Sequence, residues 1–204
     1  GALSANKAQE KASAVLLAGY PGQQGGNAVA DVLFGDYNPA GRLPVTYYKS
    51  IDQIPAFENY DMEGKTYRYF RKEPLYPFGY GLSYTSFSYG DIRVAPARAR
   101  VGMPVTIRAV VTNVGKVAAD EVAQLYVQDV VGSVTRPVRE LKGFQRVHLK
   151  PGESREVSFQ LSADDLAFYG RDMRRATEPG AFHAWIGGSS KAELRADFEL
   201  TADQ

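Results

Sequence analysis

Apolar and polar residues alternate along much of residues 87–204. The alternating runs are Val105–Val111, Ala123–Val127, Val157–Leu161, Phe182–Ile186 and Leu194–Leu200. A period of two is typical of β-strands that bury one face and expose the other. Turn signals such as Pro151-Gly152 and Pro179-Gly180 separate the runs. About seven such strands in roughly 110 residues predict an immunoglobulin-like or fibronectin type III-like β-sandwich, so the expected fold class is mainly β.

Residues 1–50 show a different pattern, with short helical and wholly apolar segments. We predict helices over Ala5–Ala12 and Ala28–Phe34, the second capped by Asn27. The apolar run Ala14–Ala18 predicts a strand buried on both faces of a parallel sheet. Such a strand needs other strands beside it and helices on both faces. We therefore expect a partial α/β segment whose other elements lie outside the chain.

Residues 51–86, termed the connector, combine many aromatic side chains with residues that interrupt helices and strands. The interrupting residues are Pro55, Gly64, Pro74, Pro77, Gly79 and Gly81. The aromatic residues include Phe57, Tyr60, Tyr67, Phe70, Tyr76, Phe78, Tyr80 and Tyr84. Flexible linkers are normally rich in glycine and serine and poor in aromatics. We therefore expect the connector to pack across a surface.

Charge and composition narrow the classes of partner. The 24 basic and 23 acidic residues leave a net charge of +1, which gives no electrostatic reason to bind nucleic acid or an anionic membrane. The longest apolar runs are far shorter than the roughly 20 residues of a membrane-spanning helix. Cysteine is absent, which excludes disulfides and favours the fibronectin-like over the antibody-like sandwich. We expect no nucleic-acid partner and no membrane association.

The sequence has no arrangement typical of a cofactor or metal site. His148 and His183 are the two histidines, and both lie on predicted strands without carboxylates at a recognisable ligand spacing. Gly22–Gly26 precedes a predicted helix but lacks the Lys-Ser/Thr pair of a phosphate-binding loop. We interpret the histidines as surface residues with hydrogen-bond partners and the glycines as a tight turn. We therefore expect no cofactor and no bound metal.

Short blocks along the chain resemble glycoside hydrolase family 3 and follow that family's order. They are Tyr20–Gly26, Ala30–Pro44, Tyr67–Tyr69, Pro77–Tyr84, Glu140–Phe144 and Leu149–Glu153. Together they cover essentially the whole chain, which is similar to the C-terminal part of such an enzyme. Many relatives carry an aromatic residue in place of Lys7 and a tryptophan in place of Gly19. Losing these large side chains would weaken the packing of the first segment.

The resemblance implies a retaining, exo-acting β-glucosidase or β-xylosidase that hydrolyses terminal non-reducing β-linked sugars. The family's usual order is a TIM-like barrel, an α/β sandwich domain and a fibronectin type III-like domain. On that order, residues 1–50 are the C-terminal remnant of the α/β sandwich domain, 51–86 the aromatic-rich connector and 87–204 the fibronectin-like domain. The stretch 58–69 looks most like the β-xylosidase branch.

The catalytic carboxyl groups of the family fall outside this sequence. A retaining glycosidase needs a nucleophile and an acid/base about 5–5.5 Å apart. By the resemblance, the nucleophile is an Asp of the barrel and the acid/base Glu lies upstream of Tyr20. We assign no catalytic residue and expect the isolated chain to be inactive. The implied partners are the missing upstream catalytic domains and a β-linked oligosaccharide, and the implied location is periplasmic or secreted.

Two sets of side chains are candidates for sugar contact. A rim of the substrate cleft would consist of Glu58, Tyr60, Asp61, Glu63, Tyr67 and Arg68. The alternative for this set is a solvated acidic loop paired with Lys65 and Arg68. Trp185 and Tyr126 point away from the predicted core and are candidates for stacking on sugar rings. The alternative for this pair is cover by a loop or by a missing domain.

A second function fits the same sequence. The chain could be a stand-alone fibronectin-type module that binds carbohydrate or another protein. The outward-facing aromatic pair is the feature behind this alternative. The coding sequence upstream of residue 1, or affinity electrophoresis on xylan, would discriminate between the two functions.

Overall fold

The computed structural model describes residues 3–202 and is mainly β, as predicted. The part before residue 87 has little regular structure. Its elements are helix α1 (Asn6–Lys11), helix α2 (Gly25–Phe34), a 3-10 turn (Ile51–Gln53) and helix α3 (Thr66–Tyr69). α1 and α2 lie where the two helices were predicted. None of the helices between residues 3 and 202 has both the length and the apolar character of a membrane span.

Residues 87–201 form the predicted sandwich. The strands are β1 (Phe87–Ala95), β2 (Arg98–Arg100), β3 (Val105–Asn113), β4 (Ala119–Asp129), β5 (Glu140–Leu149), β6 (Ser154–Leu161), β7 (Phe168–Tyr169), β8 (Arg175–Ala176), β9 (Gly180–Gly187) and β10 (Arg195–Thr201). Helix α4 (Ala163–Leu166) lies between β6 and β7. One sheet has the order β1-β3-β6 and the other β2-β10-β9-β4-β5. All neighbours are antiparallel except β2 and β10, and β7 pairs with β8 separately.

The main core lies between the two large sheets. Alternate residues are buried there along β3 and within the runs Ala123–Val127, Val157–Leu161 and Phe182–Ile186, as the alternating pattern predicts. Ile107, Leu125 and Ile186 are completely buried, and Phe182 stacks on Phe198 with ring centroids 4.9 Å apart. Burying a side chain of this size stabilises the fold by about 1.5–3 kcal/mol. The sandwich is therefore the stable part of the molecule.

A second apolar cluster lies on the outer face of the five-stranded sheet. Tyr126 on β4 and Trp185 on β9 are direct neighbours across the strands and point away from the main core. The connector residues Tyr67 and Phe78 pack against them. The prediction that the connector packs across a surface is confirmed. Connector, five-stranded sheet and three-stranded sheet form three successive layers.

The strand predicted over Ala14–Ala18 is not formed. The segment is irregular, and Val15, Leu16 and Leu17 are 43–56% exposed. A parallel strand exists only through hydrogen bonds to its neighbours, and none of the sheets between residues 3 and 202 includes this segment. The prediction was wrong because an apolar sequence favours burial of a segment but does not provide the neighbouring strands with which it would form a sheet.

Helix α2 begins earlier than predicted. Its N-cap is Gln24, and Asn27 lies inside the first turn, where its side-chain amide donates to the Gln24 side chain at 2.5 Å. Gly35 ends the helix with a left-handed backbone at φ +87°, a conformation that favours glycine. Leu33 and Phe34 in the last turn are exposed. The helix therefore presents an apolar face that the described residues leave uncovered.

We predict that segment 12–20 is less protected from hydrogen exchange than the sandwich. Amides in the irregular segment 12–20 have no sheet partner, whereas those of β3, β4 and β9 are paired within buried sheets. In hydrogen–deuterium exchange of the intact chain, peptides covering 12–20 should exchange much faster than peptides covering β4. Equal protection in both regions would contradict this.

Candidate functional site

Two tyrosines of the connector and sandwich anchor the connector to the five-stranded sheet. The Tyr67 ring stacks on Phe78 with centroids 4.1 Å apart and meets Tyr126 edge-on at 5.9 Å. The Tyr67 hydroxyl accepts a hydrogen bond from the Leu141 backbone N–H at 3.0 Å. Burial raises the pKa of Tyr126, which keeps its hydroxyl protonated. Tyr67 is thus held by the sandwich rather than presented to solvent.

A buried glutamine, Gln124, is hydrogen-bonded to the backbone of the connector. The Gln124 amide nitrogen donates to the carbonyl oxygens of Gly79 at 3.1 Å and Gly188 at 2.7 Å. Its side-chain oxygen accepts from the Tyr126 hydroxyl at 2.5 Å. Gly79 has φ +79°, and a Cβ there would lie 2.1 Å from the Gln124 side-chain oxygen. Any side chain at residue 79 would therefore displace this contact.

A buried ion pair joins the segment before the connector to the sandwich. Arg42 and Glu121 are 2.8 Å apart with both side chains almost fully buried, and the Tyr89 hydroxyl donates to the second Glu121 oxygen at 3.0 Å. Burial, reinforced by the Glu121 charge, raises the pKa of Tyr89. Removing one member of such a pair typically costs about 3–5 kcal/mol because the other charge is left buried. Arg42 therefore fixes the chain on the sheet before the connector begins.

Both histidines have hydrogen-bond partners, as interpreted from the sequence, and both partners are carboxylates. His148 lies 2.6 Å from Asp120, and His183 lies 2.8 Å from Asp197. Asp120 also pairs with Arg146, whose guanidinium donates to the Tyr37 hydroxyl at 2.8 Å. This network ties the chain after α2 to the outer face of β4 and β5. In the region from residue 3 to 202, His, Asp and Glu side chains form no group of three suited to a metal.

Residues 55–65 form a compact loop that projects from the connector. The Asn59 N–H donates to the Ala56 carbonyl and the Lys65 N–H to the Met62 carbonyl, both at 3.0 Å, and these hydrogen bonds form two tight turns within the loop. The next residue, Thr66, has φ +51°, which is strained for a β-branched side chain, and its N–H donates to the Tyr48 hydroxyl at 3.0 Å. The loop therefore contains two tight turns, and the contact between Thr66 and Tyr48 fixes the chain directly after it.

The tip of this loop is an aromatic and acidic surface. Phe57 is 93% exposed and Tyr60 is 89% exposed. Glu58, Asp61 and Glu63 are exposed around them. Among the ion pairs of the described chain, none involves these three carboxylates. The tip therefore combines ring faces with free hydrogen-bond acceptors.

The structure separates the six residues predicted as a cleft rim. Glu58, Tyr60, Asp61 and Glu63 lie together on the projecting loop. Arg68 instead pairs with Glu140 at 3.2 Å, and its carbonyl oxygen accepts from the Val138 N–H at 2.8 Å. Tyr67 and Arg68 thus belong to the anchor. The alternative, in which the acidic residues of the loop pair with Lys65 and Arg68, is wrong. The Lys65 ammonium donates instead to the Asn59 carbonyl, and Arg68 pairs with Glu140.

Trp185 and Tyr126 cannot stack on a sugar in this structure. They point away from the main core as predicted, but Trp185 is only 8% exposed and Tyr126 is completely buried. The connector covers both, and the Arg139 guanidinium lies 4.3 Å from the Trp185 ring centroid. Stacking needs an open ring face, so this assignment is corrected, and the alternative of a covering loop is confirmed.

Sequence reasoning missed the polar residues that hold the connector. Arg42 and Gly79 lie within blocks that carry the family resemblance, but nothing in the sequence marks their contacts with Glu121 and Gln124, which are distant along the chain. One signal was available. Glu121, Gln124 and Tyr126 follow one another on a strand whose neighbouring residues are apolar, and polar side chains at such positions need partners.

Two family models match the chain. Residues 1–84 match the glycosyl hydrolase family 3 C-terminal domain, and residues 121–190 match a fibronectin type III-like domain. The chain belongs to glycoside hydrolase family 3. A periplasmic beta-glucosidase of Salmonella typhimurium is 42% identical over 95% of this family 3 chain, which covers 27% of that protein. A beta-xylosidase of Formosa agariphila is 42% identical over 98% of the chain, which covers 28% of it.

Solved structures share the fold of this family 3 chain. The beta-D-glucoside glucohydrolase of Trichoderma reesei superposes with a TM-score of 0.86 and 30% identity over 98% of this chain and 32% of its own. A Listeria innocua beta-glucosidase in complex with isofagomine superposes with a TM-score of 0.85 and 32% identity over 98% of this chain and 30% of its own. The family 3 chain thus spans roughly a third or less of the length of these proteins.

We predict that Tyr67→Ala detaches the connector of this family 3 chain, whereas Tyr60→Ala does not. Losing the Tyr67 ring removes the cover of Tyr126 and Trp185 and should cost about 2–3 kcal/mol. Trp185 is the single tryptophan, so its fluorescence should shift to longer wavelength in Tyr67→Ala. The exposed Tyr60 should change stability by less than about 0.5 kcal/mol. Unchanged fluorescence and melting temperature in Tyr67→Ala would refute the anchor.

We also predict an acid-dependent contribution from Asp120. Burial alone would raise the pKa of Asp120, but hydrogen bonds from His148 and Arg146 outweigh it and hold the pKa below its usual value. The stabilisation is therefore present above about pH 3.9 and is lost as the pH falls through the lowered pKa. The melting temperature of Asp120→Asn should lie below that of the wild type at pH 5, and the difference should shrink as the pH falls through the lowered pKa. The exposed Asp172→Asn is the control, and a pH-independent difference for Asp120→Asn would count against the network.

Proposed function

We propose that this chain is the C-terminal supporting region of a retaining, exo-acting β-glycosidase that removes terminal non-reducing β-linked sugars. The parent enzyme would be a β-xylosidase or β-glucosidase with its nucleophile and acid/base upstream of the chain. Residues 1–50 would complete an α/β sandwich domain, 51–86 would connect it, and 87–204 would brace it. The names of the relatives from Salmonella and Formosa support this choice of activity.

The observation that carries the proposal is the contrast between a locked connector and an uncovered first segment. Arg42, Gly79 and Tyr67 hold the chain firmly on the sandwich. Immediately before them, Val15–Leu17 and Phe34 expose apolar side chains. A soluble protein rarely leaves such a surface open unless another part covers it. A connector fixed to the sandwich, next in sequence to a segment with exposed apolar side chains, suits a region that holds other domains in place.

The projecting loop supports a second part of the proposal, a rim over the substrate cleft. Sugar rings present C–H groups to aromatic faces and hydroxyls to carboxylates. Tyr60, Glu58, Asp61 and Glu63 offer both on a pre-shaped loop. Tyr67 and Arg68 would act indirectly by fixing where the loop emerges. A β-linked oligosaccharide is the proposed ligand of this rim.

The cellular location of the parent enzyme is proposed to be periplasmic or secreted. The Salmonella relative is named as periplasmic. The stand-alone binding module is not favoured, because burial of Trp185 and Tyr126 removes the surface that would have supported it.

A chimera with the Formosa beta-xylosidase tests the proposal. The purified chain alone should release no nitrophenol from nitrophenyl β-xyloside or β-glucoside. Exchanging it for the matching region of the Formosa enzyme should give an active hydrolase, because the two are 42% identical over 204 residues. Stoichiometric hydrolysis by the chain alone, or a folded but inactive chimera, would overturn the supporting role.

Two tyrosine variants of the chimera test the rim. Tyr60→Ala should raise KM for an oligosaccharide, whereas Tyr169→Ala, exposed on β7 of the sandwich, should leave it unchanged. Equal KM values in both variants would remove the loop from the substrate site while leaving the supporting role intact.

A further inference from the structure

The projecting loop, residues 55–65, has two ends that lie against each other. Gly64 has φ +73°, and a Cβ there would lie 3.5 Å from the Pro55 ring. A surface loop whose ends are close together is a compact unit that keeps its own shape. The direction in which this loop projects from the sandwich is therefore set by the residues that join it to helix α3.

Thr66, the first residue of α3, is the point at which this direction is set. Its φ of +51° lies in the left-handed region, which is strained for a β-branched residue. Gly64 adopts a positive φ without strain because it has no Cβ. A change of Thr66 to a negative φ would rotate the preceding loop into another direction. The observed direction therefore depends on a contact that holds Thr66 in its strained conformation.

Tyr48 supplies this contact and touches both ends of α3. Its hydroxyl accepts a hydrogen bond from the Thr66 N–H at 3.0 Å. Its ring meets the buried ring of Phe70, the residue that follows α3, edge-on with centroids 4.9 Å apart. Tyr67 and Arg68 attach α3 to the sandwich. The short helix is thus held by the sandwich and by Tyr48 together.

The chain on either side of Tyr48 is itself fixed. Tyr47 and Tyr76 form an antiparallel bridge, in which the Tyr47 N–H donates to the Tyr76 carbonyl at 2.9 Å. On the other side, the Lys49 N–H donates to the Gln53 side-chain oxygen at 2.7 Å. Burial raises the pKa of Tyr48, so its hydroxyl stays protonated at neutral pH. Tyr48 is therefore a fixed point from which Thr66 is held.

We propose that Tyr48 is a positioning residue for the rim: by holding Thr66 in the left-handed conformation, it sets where Tyr60 meets an oligosaccharide. This inference rests on the proposed function, in which the loop contacts a β-linked oligosaccharide. Tyr48 acts through the loop and does not touch the sugar. Tyr48→Phe is the matched variant, because it removes the hydrogen bond to Thr66 and keeps the ring contact with Phe70.

Hydrogen exchange of the intact chain tests whether Tyr48 holds Thr66. In Tyr48→Phe, the Thr66 amide should exchange at least about five-fold faster than in the wild type, because its acceptor is lost. Tyr47→Phe is the control, because Tyr47 joins the connector through its backbone. Its Thr66 amide should exchange at the wild-type rate. An unchanged Thr66 rate in Tyr48→Phe would overturn the proposal without any measurement of activity.

Steady-state kinetics of the chimera with the Formosa beta-xylosidase test the effect on the rim. Tyr48→Phe should raise KM for an oligosaccharide by about three- to ten-fold, because the loop no longer keeps one direction. Its kcat should change little, because the reacting carboxyl groups of the proposed enzyme lie outside this chain. Tyr47→Phe should leave both constants at the wild-type values. A lower kcat at unchanged KM, or no change in either constant, would refute positioning by Tyr48.

A double variant separates an effect through the loop from a general loss of structure. If Tyr48 acts through Tyr60, then Tyr48→Phe combined with Tyr60→Ala should give the KM of Tyr60→Ala alone. Additive increases in KM would show that Tyr48 acts elsewhere and would overturn the proposal. A folded chimera without activity would instead overturn the supporting role, and the exchange rate of the Thr66 amide would still decide whether Tyr48 holds the end of the loop.

Discussion

One aromatic face of the five-stranded sheet, covered by chain that precedes it in sequence, holds the whole arrangement together. Antiparallel sheets of this class usually bury one face and leave the other to water. Here Tyr126 and Trp185 place large apolar rings on the second face, so that face is also buried by other residues. The same face carries Gln124, whose amide donates to the Gly79 carbonyl, so the cover must also supply a polar partner. This double requirement explains why an irregular segment adopts one definite path.

The sequence predicts the sandwich well because its information is local. Alternation along β3, β4, β6 and β9 shows which side chains enter the core, and it also shows that Tyr126 and Trp185 leave it. The path of the connector is not local information. It depends on single contacts such as Arg42 with Glu121, which no periodicity marks. The sequence block around Gly79 marked this part of the connector as part of the family resemblance. It did not show why residue 79 is a glycine, which is that a side chain there has no room beside Gln124.

The wrong predictions in the first segment and in the connector have the same physical origin. Ala14–Ala18 has the composition of a strand that is buried on both faces. A strand, however, forms only by hydrogen bonding to a neighbouring strand, and the described residues provide none for this segment. Of the six residues predicted at a cleft rim, the four on the loop are exposed, and the two that follow are used to anchor it. Spacing along the chain placed all six near one another but could not distinguish a side chain that meets solvent from one that holds the backbone.

The position of the connector before the strands it covers has a consequence for biosynthesis. Arg42 and Glu121 are separated by 79 residues, and the face formed by Tyr126 and Trp185 exists only after β4 and β9 have paired. A nascent chain emerges from the ribosome with its N-terminal end first, so the connector is made well before its binding surface. It must wait with its tyrosines and phenylalanines unprotected until β9 has been translated. The order of the segments therefore makes docking of the connector a late step of folding. Until that step, the exposed aromatic side chains of the connector are able to bind other apolar surfaces.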